Sequence, residues 1–409
     1  ENKMKLTKSE KDWILYDVGN SAFILLVSTI MPIYFNYLAG KGGLTSVDYI
    51  AYWGYTASLA TLIVAFLGPV FGALADTKGY ILLGSIGCAC LGFVKQWLWF
   101  LIIYLIAKIG YSGSLIFYDS MLRDVTEEER LDEISSQGFA WGYIGSCIPF
   151  AACLFLVLGR ERFGLSMETA MAFSFFMIAV WWAVMSVPLL RGYRQNYYVE
   201  KQKYAVLDSF KRLVKTFQNV RQEKKIFVFL LAFFFYIDGV YTVIDMATAY
   251  GSALGLDATG LLIALLVTQI VAFPFSILFG RLAKRHKTEN LITVCIAAYL
   301  GIAVFAVFLE TQIQFWILAV LVGMFQGGIQ ALSRSYFTRI IPAKQSGEYF
   351  GLMDICGKGA SFMGTALVGL VSQTTGSVNL GVGVIGILFV IGIILFRIAA
   401  GIEWDKGKR

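Results

Sequence analysis

IFVFLLAFFFYIDGVYTVIDMATAY, residues 226–250, decides what kind of protein this is. A helix needs about 20 predominantly apolar residues to cross the hydrocarbon core of a bilayer, and this run exceeds that, with Asp238 near its middle. The stretch before it, 191–225, is dense in charge. After it, apolar runs return at approximately 257–283, 290–309, 313–336, 347–372 and 379–400; ahead of the charged stretch lie runs at approximately 13–38, 48–75, 80–95, 97–120, 136–158 and 167–190. The pattern predicts an all-α membrane protein of twelve transmembrane helices in two pseudo-symmetric six-helix bundles. Residues 1–190 form the N-terminal bundle, 191–225 a cytoplasmic linker and 226–409 the C-terminal bundle. Composition agrees: of 409 residues 58% are hydrophobic and 15% charged, against roughly 25% charged in soluble proteins. A water-soluble globule is excluded, and twelve crossings leave no room in this length for a large soluble catalytic domain.

The net charge of +7 raises the question of a nucleic-acid partner, and the placement of the charges answers it. All but Lys41, Lys95, Lys108, Arg160, Arg162 and Lys358 of the 34 lysines and arginines fall in the N-terminal tail, the C-terminal region and alternate connections. Cytoplasmic loops retain positive charge, so both termini and the linker are assigned to the cytoplasm, and no nucleic acid is needed. The first run is too long for a signal-peptide core and lacks a small-residue cleavage site, so it is expected to remain as helix 1. In the linker, Leu207, Phe210, Leu213, Val214, Phe217 and Val220 recur at helical spacing among basic residues, which predicts an amphipathic helix under the bundle or on the inner leaflet.

Six cysteines sit singly in apolar runs, without CxxC spacing, and the one histidine, His286, lies in a short basic loop. Disulfides, a metal site, a cofactor and histidine-based catalysis are therefore not expected. No G-x-x-x-x-G-K-[ST] run supports a nucleotide site.

The halves carry matching landmarks in one order. Tyr16-Asp17-Val18-Gly19-Asn20 in helix 1 answers Tyr236-Ile237-Asp238-Gly239 in helix 7. Gly72-Ala73-Leu74-Ala75-Asp76 answers Gly280-Arg281-Leu282-Ala283-Lys284, and Gly110 and Gly138 have counterparts in Gly323 and Gly351. Such duplication is common in transporters, which place the substrate between repeats.

An ionised group at mid-bilayer costs at least ~2.5 kcal/mol, so each needs a partner, water or a function. By helical rise Asp238 lies roughly 18 Å in, near the midplane. It is the first candidate for a substrate or proton site, the alternative being a structural acid paired with a cation. Asp17 is nearer the cytoplasmic surface, where gating or a structural cap competes with substrate contact. Lys108 suits a carboxylate receptor or a fixed salt bridge. Lys358 has Asp354 one turn before it on the same face, so a local ion pair competes with a coupling role.

Gly72-Ala73-Leu74-Ala75-Asp76-Thr77-Lys78-Gly79 resembles the G-x-L-A-D-x-x-G turn of the major facilitator superfamily, with Tyr80 in place of the usual basic residue. Within that superfamily the chain is similar to the autophagy-related vacuolar effluxer-like branch, also called the unknown major facilitator family. The segments that carry this are DWILYDVGNSAF (12–23), FFFYIDGVYT (233–242), GMFQGGIQALSRSYFTRIIP (323–342) and YFGLMDICGKGAS (349–361).

The resemblance implies a polytopic solute exporter, with amino-acid efflux the activity of the vacuolar members. It also implies a cavity lined by helices 1, 4, 7 and 10, here supplying Asp17, Asn20, Lys108, Tyr118, Tyr236, Asp238, Gln326 and Gln330. A lining with both signs of charge, amides and phenols suits a small zwitterion. At the cytoplasmic ends, Asp76, Arg123, Arg281 and Arg334 are candidates for an inner gate, although solvated loops explain the same composition. The expected protein is a monomeric secondary transporter in the inner (plasma) membrane of a bacterial cell. It would work by alternating access on a small organic solute, with protons as a coupling partner. Export of amphiphilic drug-like or lipid-like compounds is the alternative; a non-transporting receptor is the alternative from another class, and an enzyme is not expected.

Overall fold

The computed structural model describes residues 5–44, 77–194 and 217–403, with single positions 52, 56, 59, 60, 63 and 215. Its regular elements are α1 (Lys8–Ser28), α2 (Ile30–Lys41), α3 (Thr77–Leu91), α4 (Trp97–Ser120), α5 (Leu131–Leu158), α6 (Met167–Gly192), α7 (Lys224–Ala253), α8 (Ala258–Leu282), α9 (Thr288–Val307), α10 (Gln312–Ile340), α11 (Ser346–Thr375), α12 (Val378–Gly383) and α13 (Ile385–Gly401). No strand occurs among the described residues. Eight helices there are long and apolar enough to cross a membrane, or nine if the bent pair α1–α2 counts as one span. The expected span at 48–75, its GxLAD turn and most of the linker helix lie outside the described residues.

Local chemistry sets the helix ends. Thr7 and Glu10 close a capping box on α1, Thr311 and Gln314 close another on α10, and Asp257 caps α8 through the Gly260 N–H. α11 stops at Gly376, whose φ of 69° lies in the left-handed region that glycine enters freely. The run expected as one helix at 13–38 bends by 42° at Thr29. Pro32 lacks the N–H that would bond Ser28, so the ladder breaks one turn earlier, where Thr29 turns its hydroxyl to the Leu25 carbonyl at 2.5 Å. The run expected at 379–400 is one candidate span, Val378–Gly401, in which α12 passes into α13 at Val384 within the glycine-rich stretch Gly381-Val382-Gly383-Val384-Ile385-Gly386.

The described residues form two compact units. The first is built within Glu1–Val125 and Trp141–Asn196, the second within Thr126–Ala140 and Lys211–Arg409. Each turns large apolar side chains outward: Phe173, Phe176, Val180, Val184 and Val187 form one exposed stripe on α6, and Ile387, Val390, Ile394 and Ile398 another on α13. Water would penalise such stripes, whereas lipid accepts them.

The same contact recurs in both units. The Tyr16 hydroxyl donates to Ser114 Oγ at 2.7 Å between α1 and α4, and Tyr236 and Ser333 share a hydrogen bond of 2.6 Å between α7 and α10. Gly19 packs against Trp182 and Met185 on α6 while Gly239 packs against Phe389 on α13. These contacts carry the repeat read from Tyr16 and Tyr236. The glycine pairing does not follow it, since Gly110 meets α3 whereas Gly323 meets α8. Tyr16→Phe and Tyr236→Phe are each expected to destabilise the protein by about 1 kcal/mol, the usual net value of one such bond. Thermal unfolding in detergent measures this, and a large difference between the two variants would show that the bonds are not equivalent.

Candidate functional site

α7 carries Asp238 into the interior of the second unit. Asp238 is 0% exposed. Its Oδ1 accepts the Gly364 backbone N–H from α11 at 3.0 Å and the Thr242 hydroxyl, one turn along α7, at 3.3 Å. Oδ2 has no hydrogen-bond partner and the carboxylate no cation among the described residues. Lys358 belongs to α11, but its side chain lies outside the described residues. Tyr236 is held by Ser333 as above. On α10, Gln326 is buried with Nε2 unpartnered among the described residues, and its carbonyl accepts Gln330 Nε2 at 3.1 Å. Tyr236, Asp238, Gln326 and Gln330 thus share one unit, on helices that pack together.

In the first unit Tyr118 stacks on Trp13 with ring centroids 4.4 Å apart and lies 4.7 Å from the Tyr16 ring. The Trp13 indole N–H donates to the Tyr118 carbonyl at 2.9 Å, tying α1 to the end of α4. Asp17 and Asn20 are both buried on α1, and Asn20 Nδ2 has no partner among the described residues. Gly142 of α5 closes on Ser21 and Asp17. Lys108 is half-buried, its Nζ 5.3 Å from the Tyr111 ring centroid, within cation–π range.

Of the residues expected at an inner gate, Asp76 lies outside the described residues. Arg123 is half-buried and Arg281 exposed. Arg334 is buried, donating from Nε to Ser135 Oγ at 2.9 Å and from Nη2 to the Ser135 carbonyl at 2.9 Å, with its guanidinium 4.3 Å from the Phe139 ring centroid. Ser135 and Phe139, like Arg334, belong to the second unit.

Sequence reasoning passed over the acid of this region. Asp132, in the first turn of α5, takes Arg339 Nη1 on Oδ1 at 3.0 Å and Nη2 on Oδ2 at 2.7 Å. Thr288 donates to Oδ2 at 2.8 Å and the Ser335 hydroxyl bonds Oδ1. Glu133 pairs with Lys284 at 2.9 Å. The available signal was weak: acids opening a helix are ordinary partners of its dipole, and nothing in Leu131-Asp132-Glu133 marks which one turns inward.

A separate cleft of ≈ 240 Å³ in the first unit is lined by Ser9, Asp12, Asp124, Leu189, Tyr193 and Arg194, among others. The Tyr193 hydroxyl donates to Asp124 Oδ2 at 2.5 Å; burial and that carboxylate raise the phenol above the ordinary tyrosine value. Among the described residues no group of three or more His, Cys, Asp and Glu is placed to hold a metal ion.

The profile of the family described as "Vacuole effluxer Atg22 like" matches residues 7–409. The chain belongs to that family. The chain is 43% identical over 404 residues to the uncharacterized MFS-type transporter YxiO of Bacillus subtilis, covering 96% of this chain and 94% of that one. It is 26% identical over 307 residues to autophagy-related protein 22 of Cryptococcus neoformans, covering 68% of this chain and 53% of the fungal protein. The chain thus spans about half the length of that fungal relative. The human organic anion transporter MFSD10 shares the fold, with a TM-score of 0.71 at 12% identity over 96% of this chain and 100% of that one. The protein is therefore a multi-pass membrane transporter of the major facilitator superfamily and not an enzyme. Within this Atg22-like chain, the segments 12–23, 233–242 and 323–342 carry Asp17, Asp238 and Arg334 respectively.

Proposed function

We propose that this Atg22-like transporter exports a small zwitterion, an amino acid or a close relative, by alternating access. Asp238 is the group that meets the solute ammonium or carries the coupling proton. The supporting observation is the Asp238 carboxylate itself: wholly buried, near the depth expected for the midplane, with one oxygen held and the other unpartnered among the described residues. An oxygen left bare in a low-dielectric interior is costly unless a proton or a cationic group occupies it for part of the cycle. Asp17, Asn20, Lys108, Tyr118, Tyr236, Gln326, Gln330 and Lys358 are the proposed lining, with Lys108 a receptor for the solute carboxylate. The family description, a vacuole effluxer, supports solute efflux as the activity class. The charge pattern supports cytoplasmic termini, and the bacterial relative a bacterial inner membrane.

The inner gate in this reading includes the Asp132–Arg339 ion pair and Arg334, which bonds Ser135 one turn along α5 from Asp132. Arg123, Arg281 and Asp76 complete the proposed gate.

Proteoliposome counterflow against a pooled panel of amino acids, peptides and amphiphiles, with and without a pH gradient, tests the substrate class. Asp238→Asn is expected to lower counterflow of the amino-acid pool by about tenfold or more, the value of one charge-assisted hydrogen bond. Undiminished flux, or flux of amphiphiles only, would argue against the reading.

A further inference from the structure

The contact between Asp238 and α11 has a requirement that the sequence does not advertise. A carboxylate lies against the backbone of another helix only where that helix has no side chain in the way. A Cβ on Gly364 would sit 2.1 Å from Thr242 Oγ1, 2.6 Å from Asp238 Oδ1 and 3.1 Å from Asp238 Cγ. All three distances are below ordinary contact, so with any other residue at 364 the Thr242 hydroxyl, the carboxyl or α11 itself must shift. The two donors to Asp238, the Gly364 N–H and the Thr242 hydroxyl, both fall on Oδ1. Oδ2 receives neither, and it is buried without a partner among the described residues.

We propose that Gly364 and Thr242 are positioning residues, which anchor Asp238 by Oδ1 so that Oδ2 is the oxygen presented to the proton or solute cation. The proposal rests on the role assigned to Asp238 above and adds which oxygen acts and what aims it. Gly364 acts by absence: the missing Cβ lets α11 offer a main-chain donor at hydrogen-bond distance, a donor that does not titrate. Thr242 acts from one turn away on the acid's own helix, closing the second lone pair of Oδ1. With both filled, the free lone pairs of the group lie on Oδ2.

The test uses the full chain in proteoliposomes with two probes: counterflow of the amino-acid pool, and labelling of Asp238 by dicyclohexylcarbodiimide at one fixed pH, read by mass spectrometry of the peptide containing it. The carbodiimide adds to a carboxyl group and reports its placement without any transported solute. Gly364→Ala is expected to lower counterflow by about tenfold and to change the labelling rate of Asp238. Adding Thr242→Ala, which removes the atom nearest the new methyl, is expected to restore part of both. Thr242→Val keeps the shape, removes the donor and carries the test if Gly364→Ala does not fold; it is expected to reduce counterflow by about fivefold while the thermal midpoint falls no further than in Tyr236→Phe. Wild-type counterflow and labelling in Gly364→Ala and Thr242→Val, beside an inactive Asp238→Asn, would overturn the positioning proposal alone. Wild-type counterflow together with a wild-type response to the pH gradient in Asp238→Asn would overturn the role of the acid and the proposal with it.

Discussion

Replacing Asp132 by alanine is expected to cost the protein about 3 kcal/mol of stability, the lower end of the penalty for removing one partner of a buried ion pair. The size follows from what is left behind. Arg339 gives both terminal nitrogens to this one carboxylate, at 3.0 and 2.7 Å, and its side chain is only 22% exposed. Thr288 and Ser335 are deprived of an acceptor at the same time. The remaining exposure of the guanidinium lets water offset part of the penalty, which keeps the expectation at the lower end. Asp132→Asn retains one acceptor oxygen and is expected to fall between alanine and wild type. Thermal unfolding in detergent of Asp132→Ala, Arg339→Ala and the double variant gives the coupling directly. If the two single effects simply add, with coupling under about 0.5 kcal/mol, the pair is not the unit described.

Gly110→Val is expected to be as damaging, by a mechanism that involves no charge. A Cβ at Gly110 would lie 2.4 Å from the Gly84 nitrogen, 2.6 Å from its Cα and 2.9 Å from the Tyr80 carbonyl oxygen. Every one of these atoms is backbone, so no side chain can swing aside, and α3 must separate from α4 along the whole contact. Valine should destabilise by about 3 kcal/mol or more, since overpacking that moves a helix exceeds the usual cost of a misfit side chain. Gly301 on α9 supplies the control, because a Cβ there meets nothing within 4 Å; Gly301→Ala is expected to be neutral or slightly stabilising, as alanine favours helix. The recovered monodisperse fraction and the thermal midpoint separate the two. A Gly110→Val protein as stable as the Gly301→Ala protein would refute the backbone contact.

Gly110 shows how much of this molecule is legible from its sequence. It is read there as a landmark shared with Gly323, yet the structure gives the two glycines different neighbours. Tyr16 and Tyr236, marked by the same reading, do make the same bond in both units. An aromatic beside an acid and a glycine within one turn is a distinctive local pattern, whereas single glycines are common enough in membrane helices to match by chance. Arg334 was legible as a cation at a helix end but not as a donor to Ser135, and Asp132 was not singled out at all.

What the sequence determines by itself is the membrane class, most span positions and the burial of an acid within a span. Each of these depends on a run of neighbouring residues meeting hydrocarbon, a test applied to every run separately. The tertiary structure decides who faces whom. Asp238 meets Gly364 across 126 residues of chain, and Asp132 meets Arg339 across 207. Both pairings depend on the rotation of each helix about its axis and on which helices are neighbours. Those are set by packing over whole helix faces, and an amide hydrogen uncovered by the lack of a methyl group leaves no mark in the residues on either side of it.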